Sequence, residues 1–130
     1  MRIELTKSEK FKSHLILTYQ GDCEKGSAGN PYADFIIEQS KNELLKDNSI
    51  QGLILDLTNF RYEIGNRVAN ILLSNSYRNN KKLFIRVIPN KVDINNWESL
   101  INDCTNLLPS EIIQNDVKEA VKSINSQMNN

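Results

Sequence analysis

Three short apolar runs constrain this chain more than anything else in it: "SHLILTYQ" (13–20), "QGLILDLT" (51–58) and "KLFIRVIP" (82–89). Each is too short for an ordinary helix and is rich in branched and aromatic residues. In the last two the apolar residues are consecutive rather than alternating. A strand with that pattern hides both faces, as in a parallel sheet covered by helices. The stretches between the runs carry apolar residues at steps of three and four. Strand alternating with helix implies right-handed crossovers, so the expectation is an α/β domain. Its mostly parallel sheet of four to five strands is packed with four helices.

The remaining elements follow from local signals. "RIEL" (2–5) is a weak first strand, expected to pair antiparallel with the second. Pro31 suits a first helical turn, and the helix continues through "YADFIIEQSKNELLKD" (32–47), with Ala33, Ile36, Ile37, Ser40 and Leu44 inward. A second helix is expected from Gly65 to Tyr77, followed by "RNNKK" (78–82) as a solvated turn at its end. A third places Ile94, Trp97, Ile101, Cys104 and Leu108 on one stripe, and a last one does the same with Val117, Ala120, Val121, Ile124 and Met128. "EIIQ" (111–114) reads as a short edge strand or an extended segment. Residues 1–130 form a single domain, with 124–130 expected as a frayed tail.

Composition narrows the function classes. A chain of 130 residues can bury a core without disulfides or metal. Lys plus Arg and Asp plus Glu are 16 each, so the basic excess of a phosphate-backbone binder is missing and nucleic acid is not expected as a partner. The opening "MRIELTKSEKFKS" has no apolar core of a signal peptide, and no run reaches the roughly 18 apolar residues that span a bilayer. Two cysteines without a CxxC suit a reducing cytoplasm.

Catalytic and metal patterns do not assemble. The single histidine, His14, begins the second strand and Cys23 lies beyond its far end. At about 3.3 Å per residue they stand roughly 20–30 Å apart and cannot form a nucleophile–base pair. His14 reads as a strand-end surface residue and Cys104 as an inert core thiol. Asp56 and Arg86 lie inside strand runs, so they should pair with each other or sit at strand ends. The glycine loop "GDCEKGSAGNP" (21–31) has the gap of a phosphate-binding loop, but Ser27 stands where its lysine should be. No cofactor and no metal site is expected.

One location gathers candidates. In a parallel sheet the loops that follow the strands share an edge, where ligands usually bind. Here that edge would offer Glu24, Lys25, Arg61, Tyr62, Glu63, Asn66, Arg67 and Lys91. Mixed charge around an exposed Tyr62, with Arg beside it, suits protein docking better than catalysis.

The segments "LILDLTNFRYEIGNRVANIL" (53–72) and "EIIQNDVKEAVKSI" (111–124) resemble the STAS domain, the fold of anti-sigma-factor antagonists and of sulfate-transporter tails. The resemblance implies a STAS-like fold and a protein-docking surface. The family's phosphorylated Asp-Ser-Ser-Gly-like turn falls on Ile64, Gly65, Asn66 and Arg67, which include no serine; the nearest hydroxyls are Thr58 and Tyr62. No phosphoswitch carries over, and Glu63 reads as a capping-region acid. The expected function is a non-catalytic cytoplasmic protein-binding module that regulates or inhibits a partner. The alternatives are an immunity protein that neutralises a bacterial toxin, and a small enzyme whose loop 21–30 binds phosphate.

Overall fold

Strand β1 (Arg2–Phe11) and strand β2 (His14–Asp22) form an antiparallel hairpin closed by the pair Phe11–His14. The structure is a computed structural model that describes residues 2–22, 30–62, 69–74, 77–78 and 81–129. Helix α1 (Asn30–Leu44) leads to strand β3 (Gly52–Arg61), helix α2 (Ala69–Ser74), and a small two-stranded ladder of β4 (Tyr77–Arg78) and β5 (Lys81–Lys82). Strand β6 (Phe84–Pro89), a 3-10 turn (Lys91–Asp93), and helices α3 (Ile94–Cys104), α4 (Pro109–Ile112) and α5 (Val117–Met128) complete the order. The main sheet runs β1-β2-β3-β6.

The molecule is a single small α/β domain, and its four-stranded sheet is mixed rather than mostly parallel: β2, β3 and β6 run parallel, while β1 runs against them along ten residues. The sequence shows only the start of β1, because "TKSEKF" is charged and its turn lacks the usual Gly or Asn. Lys12 takes the left-handed conformation there, with φ 54°, a cost an L residue bears when both strands hold the turn. As an edge strand, β1 keeps Lys7, Glu9 and Lys10 in water, which discourages pairing with other sheets.

Register builds the core in rows. Leu15, Leu53 and Ile85 stand side by side, as do Leu17, Leu55 and Val87, the second row without exposure to water. This face meets Ile36 of α1, Leu72 of α2 and Trp97 and Ile101 of α3, all at most 1% exposed. Tyr19 reaches α1, its hydroxyl 3.1 Å from Ser40 Oγ, and burial pushes its pKa up to about 12. The opposite face carries Ile16, Ile54 and Ile88 against Ala120 and Ile124 of α5.

Polar groups fix the second face, and two expectations change there. His14 is 1% exposed, not a surface residue, because α5 lies over it and Asn125 Oδ1 sits 2.8 Å from its Nε2. A Cβ on Gly52 would come within 2.5 Å of the His14 ring, so the bare backbone makes room for it. Arg86 is 2% exposed and does not pair with Asp56. It donates to Ser123 Oγ at 3.0 Å, Gln127 Oε1 at 2.7 Å and Ile85 O at 2.9 Å, with Glu111 at 3.7 Å. Burial pushes the Arg86 pKa down, and Glu111 opposes that. Asp56 instead accepts from the hydroxyl and N–H of Thr58. The expected tail from 124 onward is the last part of α5, held by Asn125 and Gln127.

Other boundaries shift for local reasons. Helix α1 ends at Leu44, and five described α-helices replace the expected four. "EIIQ" is not an edge strand: Pro109 starts the short α4, and only Ile113 bridges to Val87. Of "RNNKK", Arg78, Lys81 and Lys82 belong to the β4–β5 ladder; residues 79–80 are outside the described residues, as are 63–68 of the expected second helix. Leu108 is 61% exposed, since α3 stops at Cys104, where Thr105 Oγ1 donates back to Ile101 O at 2.7 Å. Cys104 itself is half-buried against the core.

Two outcomes test this packing. Trp97→Ala should lower stability by about 3–5 kcal/mol in chemical denaturation; a loss under about 1 kcal/mol would contradict the burial of that side chain. The second concerns the tie from β1 to the loop after α1. Hydrogen bonding from Lys10, and then from Ser49, holds the Asp47 carboxyl well below the usual range. A depressed folded value gives stability that is present above the unfolded pKa of about 3.9 and is lost as pH falls through the folded one. Asp47→Asn should therefore be less stable than wild type near neutral pH, with the gap closing in acid; a gap unchanged down to about pH 2 would refute the pairing.

Candidate functional site

The carboxyl ends of β3 and β6 lie side by side, and the chain leaves both at one edge of the sheet. Pro89 pairs with Leu57, so the strands separate just beyond it. Asn90 then locks the turn to β3. Its side-chain oxygen accepts from Val92 N at 3.0 Å, and its Nδ2 donates to Thr58 O at 2.8 Å. Asn is suited to this because one side chain both accepts and donates.

Asp93 closes the turn from below. It is 1% exposed, and its carboxylate accepts from Tyr62 N at 2.7 Å and from Arg61 Nε and Nη2 at 3.2–3.4 Å. A buried carboxylate needs such charge-assisted partners. Asp93 immediately precedes α3, yet its side chain makes no capping bond there and turns to β3 instead. The turn after β6 and the end of β3 are thereby one braced unit.

The candidate residues separate on this frame. Arg61 is partly exposed, and its guanidinium lies against Asp93 rather than reaching freely outward. Tyr62 corrects an expectation outright: it is 3% exposed, its ring centroid 5.8 Å from that of Trp97, so it is a core residue and no surface anchor. The turn draws it inward, since Asp93 holds its backbone N–H. Lys91 is exposed as expected, and beside it Val92 is 69% exposed. Glu24, Lys25, Glu63, Asn66 and Arg67 lie outside the described residues, as does most of the glycine loop.

Asp93 is the residue that sequence reasoning missed. An Asp before a helix reads as an N-cap, and its pairing with residues 31 and 32 positions earlier leaves no local signal. Val92 was missed as well, since a single Val beside a helix start looks like core. Among the described residues no group of three or more His, Cys, Asp or Glu side chains could hold a metal ion, and no helix is long and apolar enough to cross a membrane. Chemically, the described edge offers a cation and an apolar side chain on a braced turn, with its carboxylate turned inward to structural duty.

Asp93→Ala should destabilise the fold by about 1–3 kcal/mol, because it leaves the buried Tyr62 N–H and the Arg61 guanidinium short of their acceptor. Denaturation of Asp93→Ala and Arg61→Ala, singly and together, measures the coupling; strictly additive losses would show that the pair does not brace the turn.

Against known proteins, the chain matches no family model and no curated sequence, so the fold and the geometry of this edge are what carry a functional reading.

Proposed function

We propose that this chain is a non-catalytic protein-docking module, STAS-like in fold, that regulates or inhibits a partner protein in the cytoplasm. The observation that carries the reading is the Lys91–Val92 turn: a 69% exposed Val beside an exposed Lys, on a loop braced by Asn90 and Asp93. Isolated exposed apolar residues are common, but one on a rigid turn beside a cation loses little conformational entropy on docking. The turn also sits where α/β sheets place their ligands, beyond the carboxyl ends of parallel strands. The STAS-like assignment draws on the hairpin followed by strand and helix alternation, and on the segments 53–72 and 111–124.

The test is capture from the native cell extract, identification of the partner, and titration with purified variants. Lys91→Glu and Val92→Asp should each weaken binding, with a central anchor accounting for about 2 kcal/mol or more. Both positions are exposed, so stability should shift by under about 0.5 kcal/mol. A partner that binds both variants like wild type would place its docking surface elsewhere. Turnover of a small phosphorylated substrate by the purified chain would overturn the non-catalytic reading.

A further inference from the structure

Two side chains of the sheet bond to α5, and one of them titrates. Arg86 reaches Ser123 and Gln127. The other is His14, whose Nε2 lies 2.8 Å from Asn125 Oδ1. An amide oxygen only accepts, so Nε2–H is the donor and Nδ1 of the neutral ring carries no proton. That Nδ1 is buried and has no hydrogen-bond partner among the described residues. It faces Gly52 so closely that a Cβ built there would come within 2.5 Å of it. The contact leaves no room for an acceptor or a water between them.

The elements packed around the ring bring it no counter-ion. On β1 its cross-strand neighbour is Phe11, and Lys12 Nζ lies 5.6 Å from the Phe11 ring centroid. Glu9, diagonal to His14 on the same face, is exposed and pairs with Lys7 at 3.1 Å. Lys10 and Asp47 bond each other. On β3 the neighbour is Gly52 itself, and beyond it on β6 stands Phe84, with Lys82 Nζ 5.1 Å from its ring centroid. On α5 the group in contact is the neutral Asn125, and Lys122 is exposed. The negative end of the α5 dipole favours a cation, but it lies at Met128, about one turn beyond Asn125.

We propose that His14 is a proton-sensitive latch on α5. Histidine is the side chain whose charge ordinarily changes between about pH 5 and 8. A proton on Nδ1 puts a buried N–H against Gly52 with no acceptor, which is unfavourable while α5 stays closed. Once α5 lifts, both ring nitrogens reach water. The open form thus takes up a proton that the closed form does not accommodate, so acid favours opening. Arg86 keeps its charge throughout this range, which leaves His14 as the tie that acid breaks. Lifting α5 uncovers Ile16, Ile54 and Ile88, whereas the larger core on the other face includes no residue of α5 and stays intact. The latch sits at the start of β2 and β3, away from the Lys91 turn at the carboxyl ends of β3 and β6, so it is independent of that docking edge.

Hydrogen exchange of the whole chain, followed amide by amide in NMR spectra between about pH 7.5 and pH 5.5, reads the latch. Protection factors, which remove the intrinsic pH dependence of exchange, should fall in acid along α5, by up to about tenfold per pH unit, the limit for one proton. Those of β3 should hold. His14→Gln keeps a donor toward Asn125 but takes up no proton, so its α5 protection should not change with pH. Asn125→Asp sets a carboxylate beside the ring and should likewise abolish the acid loss, because an opposite charge favours the imidazolium in the closed form. Nitrogen-15 spectra of the imidazole should show the Nε2–H tautomer near pH 7.5. Unchanged α5 protection in the wild-type chain would overturn the proposal, as would an acid loss that either variant retains. Equal loss at β3 would mean unfolding of the whole domain rather than release of α5, and an Nδ1–H tautomer would remove the bare nitrogen; each would equally overturn it.

Discussion

Strand β3 must satisfy both its edges and both its faces, and the arrangement of the other elements answers to that constraint. Its backbone pairs with β2 on one side and β6 on the other. Leu53, Leu55 and Leu57 point to one layer and Ile54 to the other, each without exposure to water. A strand so enclosed cannot slip by one residue, since a slip would exchange its two faces and move Asp56 into the main core. Register at β3 thus fixes the neighbouring rows, and the rows fix where α1, α2, α3 and α5 can pack.

Two ionic groups inside this frame hold its layers in place. Arg86 leaves the sheet toward α5 and is met by Ser123 and Gln127 one helical turn apart, with Glu111 approaching from α4. Asp93 leaves the turn after β6 and is met by Arg61 and the Tyr62 N–H at the end of β3. Each would be costly if left alone and so ties together elements distant in sequence. The consequence at the surface is indirect. The Lys91–Val92 turn is braced from beneath by a buried carboxylate that Arg61 and the Tyr62 N–H satisfy.

Much of the fold was legible because burial on two faces writes a continuous apolar run. The parallel strands, Trp97 and Ile101 of α3, and Ala120 and Ile124 of α5 all follow from period and length. The Asp116–Glu119 start of α5 is a local capping signal of the same kind. The candidate site was less legible. Strand polarity alone puts Arg61 and Lys91 at the carboxyl ends of β3 and β6, where they lie, but it does not give the burial of Tyr62, because a Tyr after a strand looks the same whether it points out or in. Its burial against Trp97 is a contact between distant segments. The length of β1 was hidden for the opposite reason: an edge strand exposed on its outer side has no apolar pattern to display.

What the sequence determined by itself is the α/β class, the enclosure of its central strands and the absence of a charge excess, since these depend on composition and on spacing between near neighbours. Tertiary structure alone decided that β1 extends as far as Phe11, that His14 is buried beneath Asn125, and that Arg86 faces Ser123 and Gln127 rather than Asp56. It also decided that a groove lined by Phe11, Ile16, Val117 and Val121 lies beside α5. The physical reason is common to all four. Each depends on which surfaces meet when helices settle on the sheet, and a polar or half-apolar residue carries no mark of its eventual neighbour until the chain has closed around it.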